Sequence, residues 1–99
     1  METNIITREK SKIKIKKPKL YRVIMHNDDF TTMEFVVHVL MSIFNKQEAE
    51  ANKIMLDVHS KGKGIVGVYP YDIAVTKVSI AMGLAKEEGF PFNITMEEA

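Results

Sequence analysis

The 99-residue chain contains no cysteine. That absence excludes a disulfide-stapled scaffold, a thiolate nucleophile and any zinc site built on sulfur, and it suits a reducing compartment. Long apolar runs are missing too. No stretch approaches the roughly 20 residues that span a bilayer, and the N-terminal charges alternate with isoleucines instead of preceding an apolar block. A soluble, cytoplasmic protein with no membrane partner is the expectation. The chain also lacks a glycine-rich phosphate loop, a G-x-S-x-G elbow and an H-E-x-x-H pair, so its three histidines and thirteen carboxylates have no recognisable catalytic framework. Neither paired histidines at helical spacing nor a ligand-rich loop supports a metal, and no cofactor is implied.

What is present is 45% hydrophobic and 27% charged, enough for one small domain with a core but with little apolar surface to spare. The net charge of +1 conceals an asymmetry. Residues 1–19 hold seven basic residues against Glu2 and Glu9, giving +5, and residues 20–99 hold seven basic against eleven acidic, giving −4. "SKIKIKKPK" alternates lysine with isoleucine, but like charge crowds one face and Pro18 interrupts it, so a flexible basic arm is the expectation for 1–19. With no aromatic side chain in the arm to stack on bases, nucleic acid is not the expected partner.

From Leu20 onward the patterns become regular. "LYRVIMH" has strand composition. Thr31-Thr32-Met33-Glu34 has the form of a capping box with Thr31 as the cap. Phe35, Val36, Val39, Leu40, Ile43 and Phe44 then make one apolar stripe of a core helix ending near Asn45, with His38 at the core edge. Asn45 is the candidate cap of a second helix, which carries Ala51, Ile54, Met55 and Val58 and stops near Ser60. "KGKG" is a flexible break before the strand "IVGVY", which Pro70 closes. Asp72 is the candidate cap of a third helix with Ala74, Val75, Val78, Ala81, Met82 and Ala85 inward, ended at about Glu88 by Gly89. "FNITM" is the last strand. The order β-α-α-β-α-β predicts an α+β sandwich, with three helices on one face of a roughly three-stranded, mainly antiparallel sheet.

Between the first strand and the first helix lies an unusual knot of acceptors, Asn27-Asp28-Asp29. Asn and Asp cap helices and form Asx turns, so one of the three is explained by local structure. Three together are not, because two adjacent carboxylates repel, and a cationic ligand would relieve that repulsion. A free α-amino group is such a cation, carrying three donors. Met33 and Val36 on one helix, with Met55, Val58 and His59 on the next, have the spacing to line one cavity, and methionine's flexible thioether suits a wall that accepts several side chains.

Three blocks in this order, "YRVIMHNDDFTTMEFVVHVL", "IMLDVHSKGKGIVGVY" and "VTKVSIAMGLAKEEGFPF", resemble the ClpS family, adaptors that deliver N-degron substrates to the AAA+ unfoldase ClpA and its ClpP peptidase. The resemblance runs from about Leu20 to the C-terminus, making residues 20–99 a single adaptor core domain. It implies a non-enzymatic protein, expected to be monomeric, that recognises a chain whose first residue is Leu, Phe, Tyr or Trp.

By motif match, Asn27, Asp29 and His59 would hold the α-amino group, with Asp28 adding charge. His59 would accept in its neutral form, which gives a route to pH sensitivity. Thr31, Met33, Val36, Met55 and Val58 would form the apolar pocket, with Met33 as the gate against β-branched side chains. Met25 and Phe92 match positions near it. Phe92 stands where the family commonly has Leu, implying a shallower pocket, and Thr32 stands where it commonly has Pro, implying a looser helix start. Asp72, Thr76 and Lys77 match the surface that docks the N-domain of ClpA, and the extension matches a segment that engages the unfoldase at handoff. Two competing classes are a small nucleic-acid or ribosome-associated protein working through the basic arm, and a hydrolase or metal enzyme using Asp28, Asp29 and His59.

Overall fold

A computed structural model of the chain describes residues 17–99, so all but the last three residues of the expected basic arm lie outside the described residues. The elements are β1 (Leu20–His26), α1 (Met33–Ser42), α2 (Glu48–Lys61), β2 (Lys63–Pro70), α3 (Tyr71–Glu88) and β3 (Asn93–Glu98). The strands form one sheet in the order β2-β1-β3, antiparallel at both junctions. The predicted α+β architecture and element order are therefore those observed.

Alternation along β1 sorts the two faces. Val23 and Met25 point inward and have no exposed surface, joined by Val66 of β2 and Ile94 of β3. Arg22 and His26 point outward, and there Arg22 pairs with Glu97 at 3.3 Å while the His26 Nε2 lies 2.7 Å from the Thr95 hydroxyl. The inner face is covered by Phe35, Val36, Val39 and Leu40 of α1, by Ala51, Ile54 and Val58 of α2, and by the small stripe Ala74, Ala81 and Ala85 of α3. Alanines on α3 let that helix lie close to the sheet. The approach of α2 to β2 is tight at Gly64, where a Cβ would stand 2.9 Å from Val58 Cγ2 and 3.3 Å from the Ile54 carbonyl.

Several helix ends differ from expectation, each for a local reason. Thr32, not Thr31, caps α1: its Oγ1 accepts from the Phe35 amide at 3.1 Å, because the Thr31 hydroxyl is already donated to Asp28. Thr32 thus ties the start of α1 with a side-chain capping bond. The helix ends at Ser42, and Asn45 takes a φ of 55° as a left-handed turn residue, while Gln47 is the N-cap of α2 and gives no side-chain bond. Gly62, at φ 89°, closes α2 after Lys61, its amide donating to the Val58 carbonyl at 3.0 Å. Pro70 stands at the N-cap of α3, its fixed φ compatible with a helix start, so Asp72 lies inside the first turn and makes no cap bond. Gly89, at φ 75°, ends α3 as predicted. Met82 and His38 are exposed, not inward-facing or core-edge, respectively.

Candidate functional site

The ladder does not stop where β1 does. The Asn27 amide donates to the Gly62 carbonyl at 2.9 Å, tying the first residue after the strand to the residue that ends α2. His59 is in the last turn of α2, so this one bond brings Asn27 and His59 to the same place although they are 32 residues apart in the chain. The chain then turns into α1 through an Asx turn, in which Asp28 Oδ1 accepts from the amides of Phe30 (2.8 Å) and Thr31 (2.7 Å) while Oδ2 accepts from the Thr31 hydroxyl (2.7 Å). The turn delivers Met33 to the first position of α1 and Val36 one turn further on, facing Met55 and Val58 of α2.

Together these elements enclose a cavity of about 250 Å³. Asn27, Asp28, Asp29 and His59 line its polar end, and Thr31, Met33, Val36, Met55 and Val58 line the rest. Small-molecule sites typically measure about 300–1,000 Å³, so this one has the size for a single large side chain. Val36 and Val58 are buried, Met55 is half-buried, and Met33 stands at the rim with 44% of its surface exposed. Nine of the eleven residues assigned from sequence to the amino site and pocket are thus brought together. Met25 and Phe92 are not among them. Met25 is fully enclosed in the core, Phe92 is buried with its ring edge-on to Phe35 at 5.7 Å, and neither is among the residues that line the cavity.

The two carboxylates of the knot differ in how far their oxygens are already hydrogen-bonded. For Asp28, burial raises the pKa, but the bonds from the Thr31 hydroxyl and from the Thr31 and Phe30 amides outweigh it and hold the carboxyl below its ordinary value. Its acceptor capacity is largely spent on the turn. Asp29 is exposed, and neither its carboxylate nor the Asn27 side chain is hydrogen-bonded to another described residue. The C-terminal end of α2 adds partial negative charge at the same end of the cavity. The region therefore favours a cation with several donors. Among the described residues no three of His, Asp or Glu converge as a metal site requires.

Asp72, Thr76 and Lys77 share a second depression, of about 430 Å³, with Ser42, Ile43, Ile73 and Ile80. The Thr76 hydroxyl donates to the Asp72 carbonyl at 2.8 Å. Lys77 is half-buried: its Nζ donates to the Ile43 carbonyl at 2.6 Å and lies 5.7 Å from the centres of the Phe44 and Tyr69 rings. Sequence patterns give no sign of this role, nor of Gly64 as the support beneath Val58. "KGKG" reads only as a flexible break until the depth of the helix above it is known.

A small α+β scaffold with a one-residue cavity and unspent acceptors at its mouth has the form of a binding module. The chain matches the family described as ATP-dependent Clp protease adaptor protein ClpS over residues 16–95. It is 53% identical to the ATP-dependent Clp protease adapter protein ClpS of Clostridium acetobutylicum, over 99% of this chain and 97% of the relative, and 50% identical to that of Acetivibrio thermocellus, over 98% of each. Among solved structures it is similar to Agrobacterium tumefaciens ClpS2 bound to L-phenylalaninamide, with a TM-score of 0.80 and 42% identity, covering 84% of this chain and all of the other. The chain belongs to the ClpS family of Clp protease adaptors. Among the described residues no helix is long and apolar enough to cross a membrane.

Proposed function

We propose that this adaptor captures proteins by their first residue, when that residue is Leu, Phe, Tyr or Trp, and delivers them to the AAA+ unfoldase ClpA for degradation by ClpP. The observation that carries the reading is the juxtaposition of free acceptors, Asn27 and Asp29 with His59 beside them, and an apolar cavity sized for one side chain. An α-amino group and the side chain on the same Cα need this arrangement of one polar and one apolar subsite at adjacent positions. The L-phenylalaninamide bound by the Agrobacterium relative has this chemistry, a free amine beside a benzyl group with no carboxylate.

In this reading Asn27, Asp29 and His59 accept from the ammonium. Asp28 shapes the turn and contributes field, and Met33 gates the cavity above Val36, Met55 and Val58. Asp72, Thr76 and Lys77, beside the exposed Ile73 and Ile80, form the surface that docks the N-domain of ClpA. The protein has no catalytic role of its own and acts as a monomer in the cytoplasm.

Fluorescence anisotropy with peptides that differ only at residue one tests the proposal. Leu, Phe, Tyr and Trp peptides should bind tightly, Ile, Val and Met peptides weakly, and N-acetylation should abolish binding. Equal binding of acetylated and free peptides would overturn it.

A further inference from the structure

Phe30 has 74% of its surface exposed, the largest exposure of any large apolar side chain among the described residues. Its position is not loose. Its amide donates to Asp28 Oδ1 at 2.8 Å, and the Asx turn that includes it is closed by two further bonds from Thr31. Both chain neighbours, Asp29 and Thr31, line the cavity, and Phe30 does not. Only one other position has that relationship, Thr32, and its hydroxyl is committed to capping α1. Consecutive Cα atoms are about 3.8 Å apart, so Phe30 is anchored at the mouth, and its exposed ring stands outside the cavity.

The same spacing governs a bound chain. If residue one has its amine at Asn27 and Asp29 and its side chain among Met33, Val36 and Val58, the Cα of residue two is about 3.8 Å further out, at the mouth. The most exposed apolar side chains near the mouth are on the α1 side, Phe30 and the 44%-exposed Met33. On the α2 side His59 is exposed and Met55 only half-buried, and Leu56 is not among the cavity residues. Resting on the proposed function, we infer that Phe30 is a specificity-determining residue for the second position of the substrate, favouring a large apolar side chain that covers its ring. A preorganised backbone beneath an exposed aromatic makes such a contact possible without an ordering cost for the turn.

Full-length protein and peptides beginning Phe-Leu, Phe-Tyr or Phe-Ala, otherwise identical, test the inference by anisotropy. The unmodified protein should bind the Leu and Tyr peptides about fivefold more tightly than the Ala peptide, the gain expected for covering a modest apolar area. Phe30→Ala should reduce that ratio to below about twofold, and Phe30→Tyr should restore it. The ratio cancels any general effect of the substitution on folding or on amine capture. An unchanged ratio in Phe30→Ala, or no second-position preference in the unmodified protein, overturns the inference alone, provided that binding still requires a free amine and a suitable first residue. Loss of that requirement in the unmodified protein would overturn the proposed function and, with it, this inference.

Discussion

The cavity beside α2 and the groove beside α3 are built on opposite ends of α1, and they differ in what their polar groups have left to offer. At the start of α1, Asn27 and Asp29 stand with acceptors that no described residue uses, over walls supplied by Met33 and Val36. At its end, Lys77 is consumed internally, donating to the Ile43 carbonyl and lying beside two aromatic rings, while Ile73 and Ile80 supply exposed apolar surface. Under the proposed function, unspent hydrogen-bonding capacity, more than charge itself, is what a small cationic ligand would use. A groove whose polar groups are already paired is suited to a broader, mainly apolar contact.

The contrast is sharpest inside the knot, between two adjacent carboxylates. Asp29→Ala should weaken binding of a Phe-first peptide by about 2 kcal/mol, roughly thirtyfold in Kd, by removing a charge-assisted acceptor, with little change in the midpoint of urea unfolding. Asp28→Ala should do the reverse, costing about 1–2 kcal/mol of stability by releasing a turn closed by three bonds, with the larger effect in the unfolding curve. The folded carboxyl of Asp28 lies below its unfolded value, so its contribution is fully present above about pH 3.9 and is lost as pH falls through the folded value. The stability gap between the unmodified protein and Asp28→Ala should therefore be constant near neutrality and shrink in strong acid. A gap that grows on acidification would contradict the assignment.

Gly64 tests whether the wall of the cavity depends on the sheet beneath it. A methyl group there would press on Val58 Cγ2 and the Ile54 backbone. Gly64→Ala should cost about 1–2 kcal/mol and shift Val58, lowering affinity for Trp-first peptides more than for Leu-first ones. Equal losses for both would show that the cavity does not feel the displacement.

How much of this is legible from sequence follows from what sequence patterns encode. Hydrophobic period and turn residues report each element and its order, which is why β-α-α-β-α-β and the stop at Gly89 could be read directly. They do not report competition between neighbours. Thr31 and Thr32 are equivalent candidates for a cap until Asp28 engages the first of them, and Asp72 is a sound cap until Pro70 starts the helix two residues earlier, where Tyr71 packs edge-on to Tyr21 at 5.1 Å. Depth is equally invisible. Met25 and Phe92 have the apolarity of pocket walls, and only the packing of Phe35 against Phe90 and Phe92 places the latter inside the core. The acceptor knot stands out in the sequence because its composition exceeds what one turn needs; which of its carboxylates the turn takes does not.

The smallest expected effect concerns the groove. If Lys77 serves the fold by satisfying a carbonyl at the end of α1, Lys77→Met keeps the alkyl chain over Phe44 and Tyr69 and removes only the donor and the charge. The loss of stability should then be about 1 kcal/mol or less, read from urea unfolding, with first-residue recognition unchanged because the cavity lies at the other end of α1. If Lys77 also meets the unfoldase, the same variant should lower affinity for the isolated N-domain of ClpA, measured by calorimetry at a temperature where both proteins are fully folded. Asp72→Ala, which removes no bond from α1, separates the two effects: it should weaken docking while costing only about 0.3–0.5 kcal/mol, the loss of an acidic residue from the first turn of α3. A docking defect in Lys77→Met that is absent from Asp72→Ala would place the contact on the α1 end of the groove, around Ile43, instead of along the first turns of α3.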